Sequence, residues 1–236
     1  MKGLLTVFSL ALLLGSAAIS AAAQSQFDQH SVTGNSDDLE TYVKLFGGLT
    51  FDSKFRNIEG TQGATGVTAK SLSLKSSALY GIKLGVFPTQ PVGLEVEAFN
   101  STPHSKQQAV TVTGPGGSVS GTLTGIDNRV TVLAFNIIGR YPGGVLQPYI
   151  GVGPALFFVR SIAAGRNASD TTIGFNAQAG LNVRFGRRWG VFGEYKYNWA
   201  KFRFDNIANF GAPVNEIGLK GIYSNNAIVA GVNWYF

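Results

Sequence analysis

The sequence predicts an all-β fold: an eight-stranded antiparallel up-and-down β-barrel that crosses a membrane. Three observations point to it. The chain of 236 residues has 14% charged residues and 31 Gly, where soluble domains average about 25% charged residues and about 7% Gly. Apolar residues recur at every second position, not at the 3.6-residue spacing of a helix. Short and long connections alternate strictly between these segments, as in barrels with short turns at one rim and long loops at the other. Neighbouring classes are excluded by composition. Mean hydropathy is only +0.13, and past the leader no apolar run approaches the roughly 20 residues of a spanning helix. With 17 Phe, 8 Tyr and 3 Trp, the chain carries more bulk than one too polar to fold.

The chain opens on Lys2, an apolar stretch from Leu4 to Leu14, and small residues ending Ala21-Ala22-Ala23. This order describes a secretory signal peptide over 1–23, cleaved after Ala23. Residues 24–38 are polar without apolar periodicity and read as a flexible lead-in. The chain has no Cys, so disulfides play no part in an exported product. No linker or compositional change interrupts 39–236, and one barrel domain is expected there.

Strand one, about 39–51, sets Val43, Leu45, Leu49 and Phe51 against Tyr42, Lys44, Phe46 and Thr50. The second, about 77–87, opposes Ala78, Tyr80, Ile82, Leu84 and Val86 to Leu79, Gly81, Lys83 and Gly85. After Pro88-Thr-Gln-Pro91, Val92, Leu94, Val96 and Ala98 oppose Gly93, Glu95, Glu97 and Phe99. The fourth, about 128–141, sets Thr131, Leu133, Phe135, Ile137 and Tyr141 against Val130, Val132, Ala134, Asn136, Ile138 and Arg140. In the fifth, about 147–159, Ile150, Val152, Leu156 and Phe158 oppose Tyr149, Gly151, Gly153 and Ala155. The sixth alternates Ile173, Phe175, Ala177, Ala179, Leu181, Val183 and Phe185 with Gly174, Asn176, Gln178, Gly180, Asn182 and Arg184. The seventh sets Trp189, Val191, Gly193, Tyr195 and Tyr197 against Gly190, Phe192, Glu194, Lys196 and Asn198. The eighth ends the chain, with Ile228, Ala230, Val232, Trp234 and Phe236 on its apolar parity.

Turns at 88–91, 142–146 and 186–188 are short, while linkers near 52–76, 100–127, 160–171 and 199–224 are long. An even strand number then brings both ends to the periplasmic side. With strand one ascending, Tyr141, Phe185, Trp189, Trp234 and Phe236 form an aromatic girdle at that side. Phe51, Tyr80, Phe158, Tyr197 and Trp199 form the outer one. Both come from the apolar parity, which a water-soluble barrel has no reason to arrange.

The opposite parity faces a lumen just wide enough for side chains to fill. It supplies Lys44, Lys83, Glu95, Glu97, Arg140, Arg184, Glu194 and Lys196. An unpaired buried charge costs several kcal/mol, so each is expected to find a partner. Lys83 falls nearly opposite Glu95 across the Pro88–Pro91 turn. The expected result is a plug of ion pairs and hydrogen bonds completed by Asn136, Asn176, Gln178 and Asn182; the alternative is a narrow or gated pore.

Chemistry elsewhere is sparse. The two histidines are His30, in the lead-in, and His104, beside Ser105 where strand three enters the second long linker. No metal-ligand spacing or nucleotide motif is present, so no metal or cofactor is expected. Gly114-Pro-Gly-Gly117 reads as a flexible loop tip, since no Gly-Lys-Ser/Thr follows. Lys54, Arg56, Lys70, Lys75, Lys106, Arg129, Arg160, Arg166, Lys201, Arg203 and Lys220 fall in or beside the outer loops. Nucleic acid is not expected to meet them there; lipopolysaccharide phosphates are the available polyanions.

The signal peptide, Gln147-Pro-Tyr-Ile-Gly-Val-Gly-Pro154, Gly193-Glu-Tyr-Lys-Tyr197 and the terminal Asn233-Trp-Tyr-Phe236 resemble small bacterial outer-membrane β-barrels of the OmpA-transmembrane-domain and OmpX type. The likeness spans 39–236 and implies a monomer in the outer membrane with a structural or surface-interaction role and no catalysis. It implies that Val232, Trp234 and Phe236 act as the signal read by the barrel-assembly machinery. A periplasmic cell-wall-binding domain is not expected after the last strand. Some barrels of this size act on lipid A or phospholipid acyl chains through a His, a Ser and a carboxylate. His104, Ser105 and Asp127 are the candidates for that alternative.

Overall fold

The computed structural model describes residues 39–61, 66–104, 108–114, 117–123, 127–163, 166–204 and 218–236. The signal peptide and lead-in expected over 1–23 and 24–38 lie outside them. Among the described residues there is no helix, and the strands are β1 (Glu40–Thr61), β2 (Thr68–Ser73), β3 (Ala78–Phe87), β4 (Val92–Ser101), β5 (Gln108–Gly114), β6 (Gly117–Leu123), β7 (Asp127–Arg140), β8 (Leu146–Ala163), β9 (Arg166–Phe185), β10 (Trp189–Phe204) and β11 (Gly218–Tyr235).

Eight of these strands close a ring. The order β1-β3-β4-β7-β8-β9-β10-β11 returns from β11 to β1, with every neighbouring pair antiparallel. A closed ring leaves no backbone edge unpaired, which hydrocarbon surroundings demand. Short turns join β3 to β4, β7 to β8 and β9 to β10 at one rim, where the sequence places them. Gly186, in the last of these, has φ 67°, a conformation that disfavours a side chain.

In all four segments expected as long linkers, strand occupies much of what is described. β1 runs on to Thr61, paired with β11 as far as Gly218. β8 and β9 continue up to the Ala163–Arg166 pair, and β10 reaches Phe204 opposite Leu219. Backbone pairing persists there while the outward face turns polar, at Lys54, Arg160, Lys201 and Lys220, so the apolar period of two fades before the strand does. β2, β5 and β6 add a short sheet on β1, joined through Thr68–Thr113 and Ala69–Val112. Gly114 and Gly117 are Cα partners at the end of the β5–β6 hairpin, and the middle of the expected loop tip, 115–116, lies outside the described residues. β1 exchanges β3 for β2 beside two register shifts against β11. There Asp52 and Asn57 have φ 48° and 51°, as bulges with short polar side chains allow.

Side-chain parity divides the barrel wall. Leu45, Leu84, Leu94, Ile137, Ile150 and Ile173 point out and are exposed, while Lys44, Lys83, Glu95, Glu97 and Lys196 point in and are buried. At the short-turn rim Tyr141, Phe185, Trp189, Trp234 and Phe236 are exposed, with Trp189 and Trp234 ring centroids 4.5 Å apart and Trp234 stacked on Phe236 at 6.0 Å. The apolar outer wall and charged interior are the inverse of a water-soluble barrel.

Candidate functional site

Parity turns three lysines and three glutamates inward, and register brings them to one level. Lys44 on β1 is the Cα partner of Lys83 on β3, and Lys83 is that of Glu97 on β4. Lys83 was expected nearly opposite Glu95; its direct partner is Glu97, with Glu95 two residues away as the partner of Gly85. Lys83 Nζ nonetheless lies 3.4 Å from Glu95 Oε1 and 3.7 Å from Glu97 Oε1. Its shortest contact crosses the lumen to Glu194 Oε2 on β10, at 2.7 Å. Lys196 donates to Glu97 at 2.6 Å and approaches Glu194 Oε1 at 3.2 Å. Lys44 reaches Glu95 Oε2 at 3.3 Å. Such sharing offsets the desolvation of buried ions only when their remaining hydrogen-bonding capacity is also met.

Neutral groups from the other strands meet it. Tyr42 and Tyr149 each donate a hydroxyl, to Glu95 and Glu194, at 2.8 Å. Lys44 Nζ lies 4.5 Å and 4.6 Å from the centroids of these two rings, and so gains cation–π contacts where it has Glu95 alone as carboxylate partner. Gln178 donates to Glu95 at 2.7 Å and accepts from Lys83 and Lys196 at 2.9 Å and 3.1 Å. Asn176 donates to Asn136 at 2.9 Å. Asn182 donates to Gln147 at 3.0 Å and Tyr235 at 2.7 Å. Space for the inward rings comes from the strands facing them: a Cβ on Gly85 would lie 2.1 Å from the Tyr42 ring, and one on Gly180 would lie 2.6 Å from the Tyr149 hydroxyl.

Arg140 and Arg184 stand apart from the six, at the short-turn rim. Glu40 holds both, accepting from Arg140 at 2.5 Å and Arg184 at 2.6 Å on separate oxygens. The guanidinium groups stack on Phe87 at 3.6 Å and Tyr235 at 4.0 Å. Glu40 was missed in the sequence, although it shares the parity of Tyr42 and Lys44. At the opposite rim, above the charges, Phe55, Phe157, Phe202 and Tyr223 pack with centroids 5.3–6.4 Å apart. Phe55, Phe202 and Tyr223 were missed because their strands continue where linkers were expected, and Phe157, inside the expected fifth strand, was not singled out.

The outer cations are dispersed. Lys54 pairs with Asp52 at 2.6 Å and Lys220 with Glu59 at 2.7 Å. Arg56 donates to Ser224 at 2.7 Å, and Lys201 lies 5.6 Å from the Trp199 ring centroid. Lys75, Arg129, Arg160 and Arg203 are exposed. Lys106, and the side chains of Lys70 and Arg166, lie outside the described residues. His104 is exposed and its carbonyl accepts from the Lys75 amide at 2.8 Å. Ser105 and the Asp127 side chain lie outside the described residues, so the proposed His–Ser–carboxylate arrangement has one described member.

A family model for outer membrane protein β-barrel domains matches residues 9–236. No curated protein matches the chain. Among solved structures, the outer membrane protein OprG from Pseudomonas aeruginosa is similar with TM-score 0.57 and 14% identity, over 84% of this chain and 95% of that one. Neisserial surface protein A gives TM-score 0.50 and 12% identity, over 84% and 97%. The outer membrane protein AlkL gives TM-score 0.50 and 15% identity, over 86% and 93%. At these identities the likeness is one of fold.

Proposed function

The chain belongs to the outer membrane β-barrel domain family and is located in an outer membrane, and from this premise we propose that it is a monomeric, non-catalytic barrel with a structural or surface-interaction role and a lumen closed by its own side chains. The observation that carries this reading is the six-charge network. Its members are buried to within 4% of full burial, and their contacts reach across the barrel from β3 and β4 to β10. The rim below is bridged by Glu40 and the rim above is filled by aromatic rings. In planar lipid bilayers the purified protein is expected to give no single-channel steps. Reproducible unitary conductance would replace the plug with the pore reading.

The partners in this reading are outer-membrane lipids and lipopolysaccharide, with no nucleic acid, and the barrel-assembly machinery during biogenesis. Val232 and Trp234 lie on the outward face of β11, the strand that closes on β1, with the exposed Phe236 just past its end, and the three offer that machinery an apolar strip at the seam. Deleting Phe236 is expected to lower the folded protein recovered from cell outer membranes severalfold while leaving refolding into detergent micelles intact. Equal recovery in cells would remove the assembly-signal role.

A further inference from the structure

On the outward wall of β7, β8 and β9, three successive rows of Cα partners change character abruptly. Leu133, Leu156 and Ile173 form an apolar row. Two residues along, roughly 7 Å of strand, come Thr131, Phe158 and Thr171. The next row is Arg129, Arg160 and Ser169, all exposed. Hydrocarbon thus gives way within about two rows to a pair of directly opposed arginines. Like charges facing each other across antiparallel strands are destabilising. Among the described residues no ion pair or hydrogen bond engages either guanidinium. The second opposed pair on the wall, Arg203 and Lys220, differs in that Glu59 already answers Lys220 at 2.7 Å.

We propose that Arg129 and Arg160, with the Ser169 hydroxyl, bind one phosphate group of a phosphorylated lipid in the outer leaflet. Two planar forks suit phosphate oxygens, which they engage in bidentate fashion. The occupant is a lipid rather than free phosphate because the same three strands place Phe158, Leu133, Leu156 and Ile173 directly beneath, where acyl chains continue from the headgroup. The inference rests on the lipopolysaccharide reading above and narrows the outer cations to one site.

The test counts bound lipid by native mass spectrometry of the full barrel in detergent micelles, with lipid A as the probe. Both arginines face outward, so the Arg129→Ser/Arg160→Ser variant is expected to fold; its heat-dependent shift on an SDS gel checks this, and Arg129→Lys/Arg160→Lys serves as a second variant. Lipid A retention is expected to fall about tenfold in the Ser variant, as loss of charge-assisted bonds implies, and by less in the Lys variant. Dephosphorylated lipid A should bind wild type as poorly as lipid A binds the Ser variant. Retention unchanged in the Ser variant but lost in Lys75→Ser/Lys201→Ser would overturn this site while leaving the lipopolysaccharide reading in place. Equal retention in every variant, with and without the lipid's phosphates, would overturn both. Full displacement by millimolar inorganic phosphate would overturn the lipid as occupant.

Discussion

Replacing Lys83 by Met is expected to lower the folding stability of the barrel by about 3–5 kcal/mol, the cost of leaving a buried charge without its partner. The side chain is fully buried, so water cannot take its place. Its ammonium lies within 4 Å of Glu95, Glu97 and Glu194 and donates to Gln178 as well. Met preserves much of the volume and removes only the charge, leaving three carboxylates to share Lys44 and Lys196. The loss should appear as a lower urea midpoint for unfolding from lipid vesicles. Adding Glu194→Gln rebalances the charges, and the amide oxygen still accepts from Tyr149; the double variant is expected to regain part of the loss. A single variant within about 1 kcal/mol of wild type would mean that the charges are not energetically linked, and the plug would lose its main support. No recovery in the double variant would assign the loss to shape rather than charge.

The network was legible in the sequence as a parity and not as a set of pairs. A period of two tells which face each residue takes, so Lys44, Lys83, Glu95, Glu97, Glu194 and Lys196 could be sent inward one strand at a time. The Lys83–Glu194 contact joins β3 to β10 across the lumen, and no local pattern encodes which strands face each other across a closed ring. Tyr149 shows the same limit: its inward position was readable, its hydroxyl bond to Glu194 was not. The upper aromatic layer was hidden for another reason. Above the hydrocarbon the outward residues become polar, and Phe202 and Tyr223 stand on strands whose outward face no longer alternates with them in hydropathy. The short-turn rim was the most readable part, since Pro88, Pro91, Pro142 and Gly186 interrupt the strands by backbone chemistry alone.

Gly153 is expected to be the barrel position least able to accept a side chain. β7 and β8 pair at Ala134–Ala155 and again at Ile137–Val152, with the Cα partnering interrupted between them. Pro154 lies in that interval and has no N–H to give to a ladder. Beside it the Phe135 backbone comes so close that a Cβ on Gly153 would lie 1.8 Å from its carbonyl oxygen and 2.9 Å from the Asn136 Cα. Overpacking against side chains typically costs about 1–3 kcal/mol. Here the obstacle is backbone in a closed ring, and separating β7 from β8 would expose ladder groups that hydrocarbon cannot satisfy. Gly153→Ala should therefore lose more than that range and yield little folded barrel on refolding into micelles. Two other glycines grade the effect. A Cβ on Gly151 would meet side-chain ends, Ile138 Cδ1 at 2.4 Å and Gln178 Nε2 at 2.9 Å; these can move, at some expense to the Gln178 bonds with Glu95 and Lys83. On Gly139 the nearest atom is Ile150 Cγ1 at 3.9 Å, an ordinary contact, and alanine there is expected to be neutral or slightly stabilising. The folded fraction should fall in the order Gly139→Ala, Gly151→Ala, Gly153→Ala. A Gly153→Ala barrel that refolds as fully as wild type would show that the close approach of β7 and β8 is not required.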